Sequence, residues 1–143
     1  EINNMKKHAT VEFTDNGTTY LVYHKTAVVK HYIKGQYRND KVILNSGGWE
    51  TKTTKDRLNA YAYENSLPYR IYQKDYTWFV TLDNKCYPFE DGLQIDYVWI
   101  HSKYTEKEIN GKSESHWFIK DIKPDEKETK RYYKNIVTQN KGR

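Results

Sequence analysis

The sequence predicts an α+β fold, in which an antiparallel β-meander and hairpins pack with a central helix and a C-terminal helix. Short runs of β-branched and aromatic residues recur along the chain, separated by turn signals such as Asn-Gly and Asp-Gly. This pattern is typical of antiparallel strands. Two other segments, 53–66 and 124–138, space their apolar residues three and four positions apart, as helices do.

The N-terminal part of the chain predicts the meander. Residues 10–14 alternate between polar and apolar side chains, and Asn16-Gly17 then favours the positive φ angles of a type I′ hairpin. Residues 1–8 are polar and are expected to be flexible. Further strands are predicted over residues 18–24, 27–33 and 41–44.

The central helix is predicted over residues 53–66, because Leu58, Tyr61 and Ala62 form an apolar stripe. A hairpin around Asp75 should follow it. The strands predicted in this part of the chain cover residues 69–74, 78–82 and 93–101.

The C-terminal part begins with a polar, charged segment, 102–115, which predicts a loop. A strand over 116–119 should pair back, and Pro124 should open the final helix, 124–138. The chain contains no repeat or linker, so residues 1–143 are predicted to form a single domain.

Composition limits the function classes. The formal net charge is +5 and the sequence pI is about 9.1, which suits nucleic acid or an acidic protein partner as well as an ordinary solvated surface. The single cysteine, Cys86, excludes an intramolecular disulfide and fits a reducing cytoplasm. No apolar run approaches the roughly 20 residues that a membrane span needs.

The stretch 44–59 carries the first candidate binding site. Gly47-Gly48 predicts a tight turn, and Trp49 offers a ring for stacking. A helix that starts just beyond would direct free N–H groups at an anion. Lys52, Lys55 and Arg57 would add positive charge for phosphate. The alternatives are a structural turn with Trp49 packed in the core and a solvated first helical turn.

The strand 69–74 carries the second candidate site. Arg70, Tyr72 and Lys74 share one face by alternation, and a basic, aromatic face can hold single-stranded nucleic acid. An ordinary exposed sheet face has the same composition. The residues that would extend this surface, if the meander lies alongside, are Tyr20, His24, Lys30, Tyr32 and Arg38.

The common catalytic motifs are absent from the sequence. It has no H-E-x-x-H, no cysteine–histidine zinc spacing and no P-loop, and Ser46 lacks the preceding glycine of a nucleophile elbow. His101 and His116 flank the polar loop and are the histidines best placed to pair. No catalytic residue, metal ligand or cofactor is predicted, and nothing requires an enzyme.

The segments LNSGGWETKTTKDRLN and IYQKDYTWFV resemble a family of small tailed-bacteriophage proteins without an assigned activity. Those proteins similarly carry a Gly-Gly-Trp turn, a Thr-Thr-Lys helix start and a Tyr-Gln-Lys-Asp strand that ends in tryptophan. The likeness covers roughly residues 18–82. It implies a phage origin, and with it the cytoplasm of the infected host cell as the location.

Three hypotheses follow. The first is a phage accessory protein that binds nucleic acid through a basic and aromatic surface. The second is a host-takeover or anti-defence inhibitor that binds a host protein through aromatic anchors, and the third is a virion component. The nucleic-acid-binding residues predicted for the first are Trp49, Lys52, Lys55, Arg57, Arg70, Tyr72 and Lys74.

Overall fold

The α+β prediction is confirmed by the computed structural model, which describes residues 10–33, 40–99 and 115–141. The predicted flexible start and residues 102–114 of the predicted loop lie outside these ranges, and Ser115 begins a strand. The strands are β1 Thr10–Asp15, β2 Thr18–Tyr23, β3 Thr26–Tyr32, β4 Lys41–Leu44, β5 Arg70–Lys74, β6 Thr77–Leu82, β7 Lys85–Pro88, β8 Leu93–Trp99 and β9 Ser115–Ile119. The helices are α1 Lys52–Glu64 and α2 Glu126–Lys141.

The chain divides into two compact units, and each is built from two segments. Unit 1 comprises Glu1–Trp49 and Asp91–Lys120, and unit 2 comprises Glu50–Glu90 and Asp121–Arg143. That both units belong to a single domain stays a prediction.

Unit 1 contains a six-stranded antiparallel sheet with the strand order β1-β2-β3-β4-β8-β9. The predicted type I′ turn joins β1 to β2, with Asn16 at φ 52° and Gly17 at φ 79°. Because side chains alternate along each strand, the cross-strand register assigns each residue to one face. One of these faces carries most of the buried side chains: Leu21, Val29, His31, Val42, Leu44, Leu93, Ile95 and Ile119.

Unit 2 contains a three-stranded antiparallel sheet, β5-β6-β7, with a helix against each face. On the α1 side, Tyr69 is buried and its hydroxyl donates to the Leu58 carbonyl at 2.8 Å. On the opposite side, the Tyr72 hydroxyl donates to the Glu128 carboxylate of α2. Unit 2 is therefore a helix–sheet–helix sandwich. Its core is formed by Leu58, Tyr61, Ala62, Tyr69, Ile71, Trp78, Val80 and Leu82.

Both edges of the unit 2 sheet are closed by groups from the helices. The Asn59 side chain accepts from the Ile71 N–H at 2.7 Å and donates to the Ile71 carbonyl at 2.8 Å, as a neighbouring strand would. At the other edge, the Cys86 N–H donates to Thr129 Oγ1 at 2.9 Å, and the Asp125 N–H donates to the Cys86 carbonyl at 2.7 Å. Closed edges protect a sheet from pairing with other chains.

The structure corrects three local predictions. Strand β7 was not predicted, because four residues that end in Pro88 give too short a pattern. Helix α1 begins at Lys52, with Thr51 as its N-cap. Helix α2 begins at Glu126, since Asp125 Oδ1 accepts from the Glu128 N–H at 2.9 Å, and Pro124 precedes this cap. Among the described residues, neither helix is long and apolar enough to cross a membrane.

Candidate nucleic-acid interface

The face of the unit 1 sheet that lies opposite its buried side chains carries aromatic rings and lysines together. In one row across the strands, Phe13 lies opposite Tyr20 and Tyr20 lies opposite Lys30. In a second row, Tyr32 lies opposite Lys41. We call this surface the open face and define it by Phe13, Tyr20, Lys30, Tyr32, Lys41 and Phe118.

The rings of the open face are accessible to solvent and are held in defined positions. Phe13 is 47% exposed and Phe118 is 37% exposed. The rings of Phe13 and Tyr20 stack with their centroids 5.1 Å apart, and the Lys41 ammonium lies 5.5 Å from the centroid of Tyr32. Such contacts fix ring orientation while leaving faces and edges available.

The charge on this face is mixed, with lysines in excess. Lys30 and Lys41 lie in neighbouring strands, and alternation places Lys120 on the same side beyond β9. Among the described residues, the acids on this side are Asp15 and Asp96, and Asp96 accepts from Gln94 Nε2 at 2.9 Å. The arrangement can hold a polyanion by charge and planar groups by stacking.

The Gly-Gly-Trp segment of unit 1 forms a rigid loop that presents an exposed ring. The Ser46 N–H and hydroxyl both donate to Asp91 Oδ1, at 2.7 and 2.8 Å, and the Gly48 N–H donates to Ser46 Oγ at 3.1 Å. Gly47 adopts φ +69°, and a Cβ there would lie 2.6 Å from Thr26 Oγ1. Trp49 is 65% exposed, so the alternative in which it packs in the core is wrong.

The predicted phosphate ligands of α1 do not converge on one face. Residues two apart on a helix point about 160° from each other, so Lys55 and Arg57 lie on opposite sides of α1. Lys52 Nζ donates to Asp56 Oδ2 at 2.7 Å on the exposed surface. These cations belong to unit 2, whereas Trp49 belongs to unit 1.

Alternation on β5 is confirmed, and α2 packs against Tyr72 and contacts Lys74, so this face of β5 is partly covered. The nucleic-acid-binding role of these two residues stays a prediction. Tyr132 stacks on Tyr72 with the ring centroids 4.5 Å apart, and Lys74 Nζ donates to Glu128 Oε1 at 3.4 Å. Arg70 stays exposed, with Nη1 donating to the Leu67 carbonyl at 2.9 Å. No sequence pattern signals the packing of α2 on β5, since it joins residues far apart in the chain.

Glu128 is the centre of the packing between α2 and β5. It is buried, and Arg131 donates to it from two nitrogens, at 2.9 and 2.6 Å. These bonds, opposed by desolvation and helped by Tyr72 and Lys74, lower the pKa of Glu128 to about 2. Desolvation and the bonds to Cys86 and Glu128 raise the pKa of Tyr72. Both groups therefore keep their ordinary charge at neutral pH.

The other titratable candidates have structural surroundings. His31 is buried, with Nε2 at 3.3 Å from Asp40 Oδ2. The Cys86 thiol is buried, and burial raises its pKa, which disfavours the reactive thiolate. His101 and the side chain of His116 lie outside the described parts of the structure. Within those parts, no three His, Cys, Asp or Glu side chains are grouped to hold a metal ion.

The open face combines predicted and unpredicted residues. Tyr20, Lys30 and Tyr32 were expected to extend a basic, aromatic surface, and they share one face. Arg38 lies outside the described residues. Sequence reasoning missed Phe13, Lys41 and Phe118. The sequence shows how side chains alternate within each strand. It does not show which side chains of different strands lie on the same face, because that depends on the cross-strand register.

Comparison with known proteins complements this geometry. No curated protein matches the chain, and no solved structure matches it either. A family model described as Kyanoviridae Gp96 protein matches residues 1–138, a wider span than the segments that carried the phage resemblance. The resemblance to a phage family is thereby confirmed, and the chain belongs to the Kyanoviridae Gp96 family of phage proteins.

Proposed function

We propose that this phage protein binds single-stranded nucleic acid on the open face of its six-stranded sheet. The observation that carries the proposal is the register that brings Phe13, Tyr20 and Tyr32 onto the same face as Lys30 and Lys41. Rings can stack on unpaired bases, and ammonium groups can follow the phosphates. The net charge of +5 supports attraction to a polyanion.

A single strand fits this surface better than a duplex. In a duplex the bases are stacked on one another, so rings that lie in a sheet reach only the backbone. Sheet surfaces with exposed aromatic side chains are a recurrent platform for splayed bases. The proposal therefore assigns stacking to Phe13, Tyr20 and Phe118, and phosphate binding to Lys30 and Lys41.

The residues predicted from the sequence have unequal parts in this proposal. Tyr72 and Lys74 are set aside because their side chains contact α2. Lys52, Lys55, Arg57 and Arg70 stay predictions without a role here. Trp49 is kept as a separate stacking position, because its ring is exposed on a rigid loop.

The test is fluorescence anisotropy with labelled single- and double-stranded oligonucleotides over a range of salt concentrations. We expect the single strand to bind more tightly, with binding that weakens steeply as salt rises. Replacing Lys30 and Lys41 with Gln should lower the salt slope by about 0.7 for each phosphate that the protein no longer neutralises. Phe118→Ala should weaken binding about tenfold at every salt concentration.

The matched controls lie in unit 2. Lys52→Gln removes an exposed lysine from α1, and Tyr76→Ala removes a ring that is 92% exposed. Both should bind as the wild type does. If the open-face variants also bind like the wild type, or if the duplex binds more tightly than the single strand, the proposal is wrong.

A host protein is the second candidate partner, and the edge strand β1 is the observation that favours it. In a two-residue hairpin the peptide groups of alternate residues face outward, here those of Glu12 and Thr14. Within the described residues no helix group hydrogen-bonds to the outward peptide groups of Glu12 and Thr14, in contrast to the edges in unit 2. Val11 and Phe13 are exposed beside it, so an extended host segment could add as a further strand.

Thr14→Pro separates this second candidate from the first. Proline removes the outward N–H of Thr14 that an added strand would need, and edge positions tolerate proline. Co-purification of a host protein from nuclease-treated lysate that disappears with Thr14→Pro would favour the host-protein hypothesis. Retention of oligonucleotide binding in the same variant would show that the open face does not depend on this edge.

A further inference from the structure

The exposed Trp49 ring borders a cleft that the open face does not include. The cleft has a volume of about 470 Å³, and its described lining residues are His24, Lys25 and Trp49, all within unit 1. This volume falls in the range of roughly 300–1,000 Å³ that is common for small-molecule sites. Its described lining residues thus supply an indole, an imidazole and an ammonium group.

Both walls of the cleft are held in place by their local structure. His24 and Lys25 form the turn between β2 and β3, with φ angles of 51° and 68°, and the ring of His24 lies 4.1 Å from that of Tyr23. The opposite wall is the loop anchored by Ser46 on Asp91 and by the close approach of Gly47 to Thr26. The backbone that carries the exposed Trp49 indole is therefore anchored, which lowers the cost of ordering this loop when a ligand binds.

The chemistry of the lining selects an anionic ligand with a planar ring. The indole of Trp49 can stack on a nucleobase, since every base has a flat face that an aromatic ring can cover. The ammonium group of Lys25 can pair with a phosphate, and the imidazole of His24 can add a hydrogen bond. An aliphatic anion would leave Trp49 unused, and a neutral ring would leave Lys25 unused.

We propose that this cleft is a nucleotide site, in which the base stacks on Trp49 and a phosphate is bound by Lys25. The ligand is one nucleoside monophosphate unit, which can be a free nucleotide or the phosphorylated end of a strand. The site does not require the open face, so it goes beyond the function proposed above.

The test follows the indole N–H signals of the full chain by NMR, with tryptophan labelled with nitrogen-15. The chain has four tryptophans, and Trp49→Phe identifies the signal of Trp49 by its disappearance. Adenosine monophosphate, adenosine and ribose 5-phosphate are titrated separately. We expect the Trp49 signal to shift most readily with the monophosphate, less with the nucleoside and least with the sugar phosphate.

Two variants assign the parts of the site. Lys25→Gln should make the monophosphate and the nucleoside bind equally, because it removes only the group that binds phosphate. Trp49→Ala should weaken monophosphate binding about tenfold, measured by line broadening of the ligand, whereas Tyr63→Ala, which removes an exposed ring from α1, should have no effect. The inference is overturned if Trp49→Ala binds like the wild type, if ribose 5-phosphate binds as well as the monophosphate, or if no ligand moves the Trp49 signal.

Oligonucleotides with and without a terminal phosphate then identify the source of the ligand. If the phosphorylated end shifts Trp49 at lower concentration than the mononucleotide, the site holds a strand end, and the reverse order indicates a free nucleotide. Replacement of Lys30 and Lys41 with Gln should leave mononucleotide binding unchanged. If mononucleotides bind and oligonucleotides do not, the proposed single-strand binding is wrong and the nucleotide site in the cleft is supported. If oligonucleotides bind and mononucleotides do not, only the proposed nucleotide site is wrong.

Discussion

At the scale of single residues, Glu128 links the C-terminal helix to the sheet of unit 2. Its carboxylate receives hydrogen bonds from Tyr72, Lys74 and Arg131, so three donors compensate for the burial of one charge. A buried carboxylate without its partners is costly, and partners without their carboxylate have no acceptor. Glu128 therefore helps to hold α2 on the sheet, together with the Tyr72–Tyr132 stack and the bond from Cys86 to Thr129.

Glu128→Gln should destabilise the protein by about 2 kcal/mol, because the amide keeps the shape but lacks the charge that Arg131 and Lys74 bind. Urea unfolding measures the change in the free energy of unfolding. Glu126→Gln, on the exposed side of the same helical turn, should change it by less than about 0.5 kcal/mol. Equal effects of the two substitutions would show that the Glu128 carboxylate adds no stability.

The contribution of Glu128 to the free energy of unfolding should depend on pH. Its pKa is lowered from 4.5 to about 2 in the folded protein, so it stabilises the fold above the unfolded value, and this contribution disappears as pH falls towards the folded value. The stability advantage of the wild type over Glu128→Gln should shrink between about pH 6 and about pH 3. Urea unfolding of both proteins across that range tests this, and a constant difference would contradict it.

Gly47 and Gly48 offer a matched pair in one loop. Both have positive φ, but only at Gly47 would a Cβ meet the Thr26 side chain. Gly48→Ala should lower the free energy of unfolding by about 1 kcal/mol through backbone strain alone. Gly47→Ala should lower it by at least about 1 kcal/mol more, because the new methyl group also meets Thr26. In a Thr26→Ala background, Gly47→Ala should lose less stability in thermal unfolding than it does in the wild type. If the loss is the same in both backgrounds, the close approach of Gly47 to Thr26 does not cause the difference between the two glycines.

At the scale of elements, the two sheets differ in how their edges are treated. In unit 2, Asn59 of α1 closes the β5 edge, and Thr129 of α2 closes the β7 edge. A side-chain amide can imitate a strand because it carries one acceptor and two donor hydrogens. In unit 1 no such hydrogen bond from the described part of the chain reaches the outward peptide groups of Glu12 and Thr14.

Asn59→Ala should destabilise the protein by about 2 kcal/mol, because the N–H and C=O of Ile71 would have neither of their partners. Amide hydrogen exchange at Ile71 should accelerate at the same time. Asn65→Ala is the control, since that side chain donates one bond near the exposed end of α1. Unchanged exchange at Ile71 would mean that Asn59 does not protect the edge.

Turn chemistry and strand alternation made most elements predictable from the sequence. Asn16, Gly17 and Asp75 have the positive φ angles that their residue types favour. Contacts between distant segments were not predictable. Covering of Tyr72 by α2 depends on Glu128 and Tyr132, and the open face depends on a register that crosses several strands. The exposure of Trp49 required knowledge of the Ser46–Asp91 anchor.

At the scale of the whole molecule, the segments of the two units alternate along the sequence. The first segment belongs to unit 1, the second to unit 2, the third to unit 1 and the fourth to unit 2. The second segment of unit 1 contains strands β8 and β9, and the second segment of unit 2 contains helix α2. Strand β9 adds Phe118 to the open face, and helix α2 packs against Tyr72 of β5. Among the described residues, the rings of the open face in unit 1 are accessible, whereas Tyr72 on β5 is covered by Tyr132, and the proposed function depends on this difference.

The most direct test of the proposed function is to map where a bound strand lies. An oligonucleotide of about 15 nucleotides that carries a photoreactive thymine or uracil analogue is crosslinked to the full chain, and the modified peptides are identified by mass spectrometry. We expect crosslinks at Phe13, Tyr20, Tyr32 or Phe118 that disappear when salt is raised. Crosslinks confined to α1 or β5, or crosslinks that do not respond to salt, would contradict it.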